Sequence, residues 1–274
     1  MPTALSRRDF LKWLSLAGAA LASHWLLAGC RPGPPVPAAA SSTPSPAPTQ
    51  SALPTGTASP AALAQGSATP APAREGLPEA GLPGERLILP APRLQAGWPL
   101  MQALADRRSG RSFRQQEVPL QEIADLLWAG FGVNRPASGG RTAPSAYDLQ
   151  DIAVHLVSSR GAFLYAAGEH ALVKRIEADL RSATGTQAFV SQADLDLVYV
   201  CDTTRLAAFT SEDQQQWPWA HCGCIAQNVS LCCAALGLAT VVRSTIDRQA
   251  LALLLGLPQT DRILLAQSLG YPAD

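Results

Sequence analysis

The spacing of apolar residues along the second half of the chain predicts a mixture of helices and strands. After Pro119, a residue type favoured at a helix N-terminus, Ile123 and Leu127 fall on one helical face, whereas apolar residues alternate from Ile152 to Leu156 as in a strand. Helices are predicted at residues 99–107, 119–130, 170–180, 217–236 and 248–255, and strands at residues 151–158, 162–165, 195–201, 238–242 and 263–269. Because helices and strands do not alternate strictly, the pattern favours an α+β fold over a doubly wound parallel sheet.

The helix predicted at residues 217–236 is mostly apolar and ends at Gly237, a residue type common at helix C-termini. A helix with so few polar positions is not expected to face water along one side. We therefore predict that it lies in the core or in a subunit interface.

The first 29 residues have the parts of an export signal. Arg7 and Arg8 precede Phe10, an apolar stretch runs from residue 13 to residue 27, and the sequence L-A-G-C ends at Cys30. The arginine pair resembles the twin-arginine signal, a route that carries folded proteins, and L-A-G-C resembles the bacterial lipobox, whose cysteine is acylated and becomes the mature N-terminus. The alternative is an ordinary export signal or an uncleaved anchor that ends in a cysteine by chance.

Residues 30–81 are predicted to form a disordered tether. No charged residue occurs from Pro32 to Ala73, and Ala, Pro, Ser, Thr and Gly dominate, so little apolar surface is available to offset the entropy of ordering. A lipid on Cys30 would then hold the folded domain, residues 82–274, off the outer face of the cytoplasmic membrane or cell envelope. The sequence leaves open whether the tether is glycosylated.

Composition narrows the class of protein. The 274 residues carry 21 basic and 21 acidic side chains, a balance that does not favour a strongly basic nucleic-acid binder. Six cysteines are too few for a disulfide scaffold. The roughly 190 residues after the tether are enough for one sizeable core.

Two segments carry candidate chemistry. Residues 106–114 hold four arginines and two serines, which suit a phosphate group; the alternative is a solvated basic turn. Residues 139–146 combine glycine, proline and small residues, and form either a flat wall against a planar ligand or a surface loop. His221, Cys222 and Cys224 could be taken for a metal site, but the two cysteines point about 200° apart on a helix, so packing as small apolar side chains is favoured.

The order of the motifs resembles the nitroreductase family of FMN-dependent oxidoreductases. The motifs are R-R-S-G-R-S-F at residues 107–113, R-T-A-P-S-A at 141–146, A-Q-N-V-S-L at 226–231 with A-A-L-G-L-A-T at 234–240, and G-Y-P at 270–272. The resemblance covers about residues 99–272. The stretches L-L-W-A-G-F-G-V-N-R and T-G-T-Q-A-F-V are similar to the branch that includes azoline-oxidising dehydrogenases.

This resemblance implies a central mixed or antiparallel sheet flanked by helices, in an intertwined homodimer that binds FMN. By position, Arg107, Arg108 and Ser109 match the motif that holds the phosphate and ribityl oxygens. Arg111 matches the basic residue near the N1/O2 edge of the flavin, where a positive charge stabilises the reduced ring.

The resemblance also implies contacts with the flavin ring. The loop that reaches the flavin from the partner subunit matches Pro144, Ser145 and Ala146. A polar ring contact falls at Gln187, the segment beside flavin N5 matches Ser244 and Thr245, and residues 217–236 match the central dimer helix.

Two positions depart from the family pattern. Asp148 stands where asparagine is usual, although Gln150 is retained, and we expect the carboxylate to point away from the flavin. Many members continue past G-Y-P to a basic residue that contacts the phosphate, whereas this sequence ends at Asp274, so Arg107–Arg111 are expected to hold the phosphate nearly alone.

The implied function is that of an exported, membrane-tethered oxidoreductase. FMN would carry a hydride or electrons through N5 to or from a small organic substrate, and no side-chain acid, base or metal ion is required. The electron donor stays open, because NAD(P)H is scarce outside the cytoplasm and a quinol or a redox protein could replace it. The alternatives are a flavin-binding redox partner with little turnover and a non-catalytic lipoprotein that has lost FMN.

Overall fold

The structure is a computed structural model that describes residues 76–78 and 81–273. The predicted export signal, Cys30 and most of the predicted tether lie outside these residues. The strands are β1 (Arg86–Ile88), β2 (Val133–Arg135), β3 (Gly140–Arg141), β4 (Ile152–Ser158), β5 (Gly161–Ala166), β6 (Ala171–Ile176), β7 (Leu195–Asp202), β8 (Ala239–Arg243) and β9 (Asp261–Gly270). The helices are α1 (Leu100–Asp106), α2 (Leu120–Phe131), α3 (Ser211–Leu236) and α4 (Arg248–Leu254).

The core of the fold is a sheet with the strand order β1-β6-β5-β4-β7-β9-β8. Every neighbouring pair is antiparallel, and Tyr199 at the centre of β7 pairs with Val154 on β4 and Leu265 on β9. Nearly every residue of β7 is buried, which explains why the buried residues are apolar on both faces of this strand apart from Asp196. The predicted α+β class is confirmed, and the sheet is antiparallel throughout.

Helices cover both faces of this sheet. Ile123 of α2 and Ile225 of α3 are buried in the larger apolar core together with Leu197 of β7. On the opposite face, Leu251 of α4 packs with Val198 of β7 in a second, smaller core. Alternate residues of one strand therefore serve two different helical layers.

The helix predicted at residues 170–180 is wrong, because this segment contains strand β6. Leu172 pairs with Tyr165 of the preceding strand and also with Leu87 of β1. The reversal between β5 and β6 includes His170 with φ 47°, whose ring nitrogens contact the Tyr165 hydroxyl and the Pro90 carbonyl. Pairing of β6 with a strand on each side outweighs the helix-like spacing of the apolar residues from Ala171 onward. The reason is that this pairing satisfies the backbone hydrogen-bonding groups of β6.

Helix α3 begins six residues before the predicted start at residue 217. Thr210 caps it by accepting a hydrogen bond from the Asp213 amide at 3.2 Å. Pro218 lies inside the helix and cannot donate to the Gln214 carbonyl, which accepts from Arg262 Nη2 at 3.2 Å instead. The predicted C-cap is confirmed, since Gly237 has φ 74° and its amide bonds to the last helical turn.

The chain enters the fold earlier than the sequence pattern suggests. Leu77, within the predicted tether, is buried in the larger core. Trp98 and the α1 residues Leu100 and Met101 are largely exposed, although they are apolar. Among the described residues, no helix has both the length and the hydropathy needed to cross a membrane.

Candidate functional site

Residues 107–114 form an extended segment that contacts β8 and the residues just after β9. The Gly110 amide donates to the Thr240 carbonyl at 2.9 Å, which joins the segment to the start of β8. Further along, Phe113 pairs with Pro272, and its ring is buried against Val241. A side chain at Gly110 would approach the Ala239 methyl group to 2.9 Å, so glycine permits this close contact. The basic segment is therefore fixed at the sheet edge.

The arginines of this segment are available to an anion. Within residues 76–78 and 81–273, no ion pair involves the guanidinium groups of Arg107, Arg108 or Arg111. Arg108 and Arg111 line a cavity of about 440 Å³, whose wall also includes Asp106. Its lining includes Trp98, Arg108, Gly110, Arg111, Ser112, Ser230, Gly237, Thr240 and Ala273. Unpaired guanidinium groups at such a cavity favour a phosphate or another anion.

The other end of β8 carries a second group of predicted site residues. Gln187 donates from Nε2 to the Thr245 hydroxyl at 2.9 Å, and the Thr186 amide donates to the Thr245 carbonyl at 3.2 Å. Ser244 and Thr245 are exposed, and Oε1 of Gln187 is buried with no hydrogen-bond partner among the described residues. The structure thus brings Gln187 into contact with Thr245, and both are predicted site residues.

A buried charge network supports this end of β8, and sequence reasoning missed it. Arg243 donates to the Thr184 carbonyl at 2.6 Å and to the Ser268 hydroxyl at 3.0 Å, and it forms an ion pair with Asp196. Burial raises the pKa of Asp196 to about 6, so its carboxyl is still ionised beside Arg243 at neutral pH. The network fixes the turn that carries Gln187 against β8. The signal that could have revealed the network is an arginine in an otherwise apolar strand, since such an arginine indicates a buried partner of opposite charge.

Residues 139–150 form a loop with an unusual backbone. Tyr147, Asp148 and Gln150 all have φ near +50°, in the left-handed region that non-glycine residues rarely adopt. Gln150 stabilises the loop through hydrogen bonds. Its backbone amide donates to the Ser145 hydroxyl at 2.9 Å, and its side-chain Oε1 accepts from Arg141 Nε at 2.9 Å. Asp148 is exposed and accepts from the side chain of Gln150 at 3.1 Å.

His221 and Asp151 hold this loop to α3. The Ala146 amide donates to Nε2 of His221 at 2.8 Å, and Nδ1 of His221 lies 2.6 Å from the Asp151 carboxylate. Both side chains are buried. The sequence had singled out His221 only as part of an unlikely metal group, and nothing in the pattern linked it to Asp151 or to the loop.

The structure does not bring the loop at Pro144–Ala146 to the arginine segment within one chain. The loop is attached to α3 at His221, whereas Ala234 of the same helix lines the cavity beside Arg108 and Arg111. Ala234 comes 13 residues after His221 in α3, a distance of about 20 Å along a helix. The two groups of predicted site residues are therefore at separate places on the helix.

The cysteines of the described region are poor candidates for nucleophiles. Burial raises the pKa of Cys201 and of Cys232 to about 12, and it also raises the pKa of Cys222 and Cys233. These thiols are protonated at neutral pH and pack with apolar side chains. Cys224 is exposed while Cys222 is buried, as their helical spacing predicts.

Comparison with known proteins assigns the fold to a family. The sequence profile described as the nitroreductase family matches residues 104–271. A solved structure of a protein described as a nitroreductase from Ralstonia eutropha is 40% identical, with a TM-score of 0.67, over 72% of this chain and 95% of that one. A protein named as a nitroreductase of Methanocaldococcus jannaschii is 26% identical over 152 residues, which are 52% of this chain and 76% of its relative.

A more distant match extends the likeness in fold. The microcin synthetase McbBCD complex of Escherichia coli contains a chain that is 21% identical, with a TM-score of 0.52, over 57% of this chain and 64% of that one. At this identity the likeness concerns the fold alone. The matched profile, the α+β sheet and the Ralstonia eutropha structure all agree, and the chain belongs to the nitroreductase family of flavin-dependent oxidoreductases.

Proposed function

We propose that the chain binds FMN along β8 and uses it to oxidise or reduce a small organic substrate. The observation that carries the proposal is the set of unpaired guanidinium groups beside the start of β8. Arg108 lines the cavity and Arg107 and Ser109 flank it in the sequence, so the three residues would supply the cationic and hydroxyl donors that a phosphate and ribityl chain require. Their fixed backbone keeps these donors in place before a ligand arrives.

The residues at the far end of β8 fit the ring of the same ligand. Oε1 of Gln187 is buried without a partner among the described residues, and a ring N–H would satisfy it. Thr240 and Thr245 are five residues apart, which corresponds to about 16 Å along a strand. The strand therefore offers an anion site at one end and a ring site at the other, as an elongated mononucleotide needs.

Bound FMN would supply a two-electron carrier whose reactive position is N5. The protein's own contribution is to bind and orient this group. Arg111, exposed at the cavity, places a positive charge that stabilises negative charge on a reduced ring. The backbone of Ser244 and Thr245 positions the reactive edge. No side chain of the described region is assigned a proton-transfer role.

We further propose that two chains form the site as a homodimer. The exposed apolar side chains of Trp98 and Leu100 line a groove with Leu231 and Ala235 of α3, and Met101 beside them is also exposed. An apolar surface of this kind is typical of a subunit interface. The separation of Pro144–Ala146 from the arginine segment supports a loop that serves the partner's flavin.

We propose that the protein is exported and tethered by lipid. The support is the sequence pattern alone: Arg7 and Arg8 in a twin-arginine motif, the lipobox at Cys30 and the uncharged stretch after it. In that location the electron donor is proposed to be a quinol or a redox protein. The stretches similar to azoline-oxidising dehydrogenases favour a small heterocyclic substrate, while the likeness to the Escherichia coli synthetase chain concerns fold only.

The test of FMN binding is the flavin content and affinity of Arg107→Ala. A charge-assisted hydrogen bond contributes about 1.5–3 kcal/mol, so the variant is expected to bind FMN about tenfold to a hundredfold more weakly while it still folds. Arg175→Ala is the matched control, because this exposed arginine is on β6, which four other strands separate from β8. Parent protein that does not bind added FMN would overturn the proposal in favour of a domain without a cofactor.

A second variant separates the two roles of the basic segment. Arg111→Ala is expected to lower the midpoint potential of bound flavin, because the reduced form loses a stabilising charge, and to weaken FMN binding less than Arg107→Ala does. Spectroelectrochemical titration of both variants and the parent measures this. An unchanged potential would mean that Arg111 does not approach the ring.

A further inference from the structure

We propose that His221 is the positioning residue of the flavin loop, and that it acts as a neutral imidazole with its proton on Nδ1. This inference rests on the proposed function, since it concerns the loop at Pro144–Ala146 that is proposed to contact the flavin. His221 lies on α3 and is not itself proposed to contact the flavin. Among the proposed flavin-contact residues, it is hydrogen-bonded to the backbone of Ala146.

The hydrogen bonds determine which nitrogen of the ring carries the proton. A backbone amide only donates, so the 2.8 Å contact from the Ala146 amide requires an unprotonated Nε2. The proton is then on Nδ1, from which it is donated to Asp151 at 2.6 Å. The other oxygen of Asp151 faces the thiol of Cys201 at 3.7 Å. Asp151 thus fixes the tautomer, and the tautomer makes His221 an acceptor.

The loop needs an attachment of this kind because its backbone is strained. Tyr147, Asp148 and Gln150 are all in the left-handed region, a conformation that persists only where the surroundings hold it. The bonds made by Gln150 join parts of the loop to one another. They stiffen the loop but do not place it on the body of the protein.

The side chain of Leu149 packs against the larger core, and polar and aromatic contacts also join the second half of the loop to the body. Arg205 donates to the Leu149 carbonyl at 3.1 Å, and the exposed ring of Tyr147 stacks on Phe209 and Trp217 at the surface. The bond from Ala146 to His221 is the buried one, and it acts on a proposed flavin contact directly. Loss of that bond is therefore expected to move the flavin-binding end of the loop first.

The matched test variants are His221→Gln and His221→Asn. The amide oxygen of glutamine reaches the position of Nε2 and keeps an acceptor for Ala146, whereas asparagine reaches only the position of Nδ1 and keeps the contact with Asp151. We expect His221→Asn to speed hydrogen exchange in the peptide that covers residues 140–151 and to raise the Kd for FMN about tenfold. His221→Gln should restore both values to within about threefold of the parent protein.

A third variant removes the donor instead of the acceptor. Ala146→Pro lacks the amide proton, and the backbone accepts proline here, because Ser145 is extended with φ −140° and ψ 151° and Ala146 is the first residue of a helical turn. If His221 acts through this one bond, the combined Ala146→Pro, His221→Asn variant should exchange no faster and bind FMN no more weakly than either single variant. Thermal unfolding of each variant, with exchange in β7 peptides, shows that the fold is retained.

Additive effects of the two substitutions, or loop exchange that is unchanged in His221→Asn, would overturn the proposal. The exchange measurement is made without flavin, so it tests the attachment even if the protein does not bind FMN. Faster loop exchange in His221→Asn together with unchanged FMN affinity would also overturn it, because the loop would then not be a flavin contact of this chain.

Discussion

His155 shows how one buried side chain couples folding to pH. It is buried on β4, and its Nδ1 has no hydrogen-bond partner among the described residues. Burial, and to a smaller extent the charge of Arg175, lowers the pKa of His155 to about 4. Between pH 6.5 and 4 the unfolded chain therefore binds a proton that the folded chain does not.

We expect this difference to remove roughly 3 kcal/mol from the free energy of unfolding as the pH falls from about 6.5 to about 4. Below that range the contribution stays constant. Urea unfolding at a series of pH values measures the loss, and His155→Gln should flatten the curve because glutamine does not titrate. Arg175→Ala should give a smaller loss than the parent protein, since the pKa of His155 rises. An equally steep loss in His155→Gln would assign the effect to other groups.

Helix α3 combines a buried side with a side that is open in a single chain. Ile225 and Val229 are in the core, while Ala220, Gly223, Cys224 and Gln227 are exposed. The buried side agrees with the predicted position in the core, whereas a subunit interface on the open side stays a prediction. A side chain added at Gly223 meets no atom within 4 Å, so the single chain has room for a larger residue there.

We expect Gly223→Gln to prevent dimer formation without unfolding the chain. Glutamine is a better helix former than glycine, so the folded monomer gains about 0.5–1 kcal/mol, while the longer side chain keeps a second α3 from approaching. Sedimentation velocity measures the change of mass. Ala250→Gln is the control, because it adds the same side chain at an exposed position of α4, on the other face of the sheet. A Gly223→Gln dimer as stable as the parent would place the interface elsewhere.

At the level of the whole molecule, the predicted location in the cell depends on residues that precede the folded domain in the sequence. We expect Cys30→Ala to abolish lipid attachment, so that the protein leaves the membrane fraction or keeps its full-length N-terminus. Intact-mass measurement and detergent partitioning test this. Cys224→Ala is the matched control, because it removes an exposed cysteine of the folded domain. It should change neither the processing of the N-terminus nor the partitioning of the protein into the membrane fraction.

The export route is tested separately. Replacing Arg7 and Arg8 together by lysine keeps the positive charge but removes the paired arginines, and it should stop export if the twin-arginine route is used. Unimpaired export would indicate a general signal. Either result leaves the flavin site unaffected, because these residues precede the folded domain.

Much of the architecture was readable from local patterns. Alternation from Ile152 and the apolar run from Leu195 predicted β4 and β7, and Gly237 predicted the end of α3. The start of α3 was also encoded, since T-S-E-D at Thr210 is a capping sequence, but the apolar stretch on which the prediction was based begins only at Trp217. Only the contact of Arg262 with the Gln214 carbonyl explains why Pro218 does not break the helix.

Most of the elements and the motifs follow from the sequence alone, because apolar periodicity, caps and the arginine-rich segment are properties of neighbouring residues. The tertiary structure decided which distant groups meet. It made residues 171–176 a strand through pairing on both sides, and it buried Arg243 against Asp196. It also brought His221 to Asp151, 70 residues earlier, and to the loop at Ala146. Hydrogen-bond partners separated by such distances leave no periodic trace in a single sequence, so only the fold assigns them.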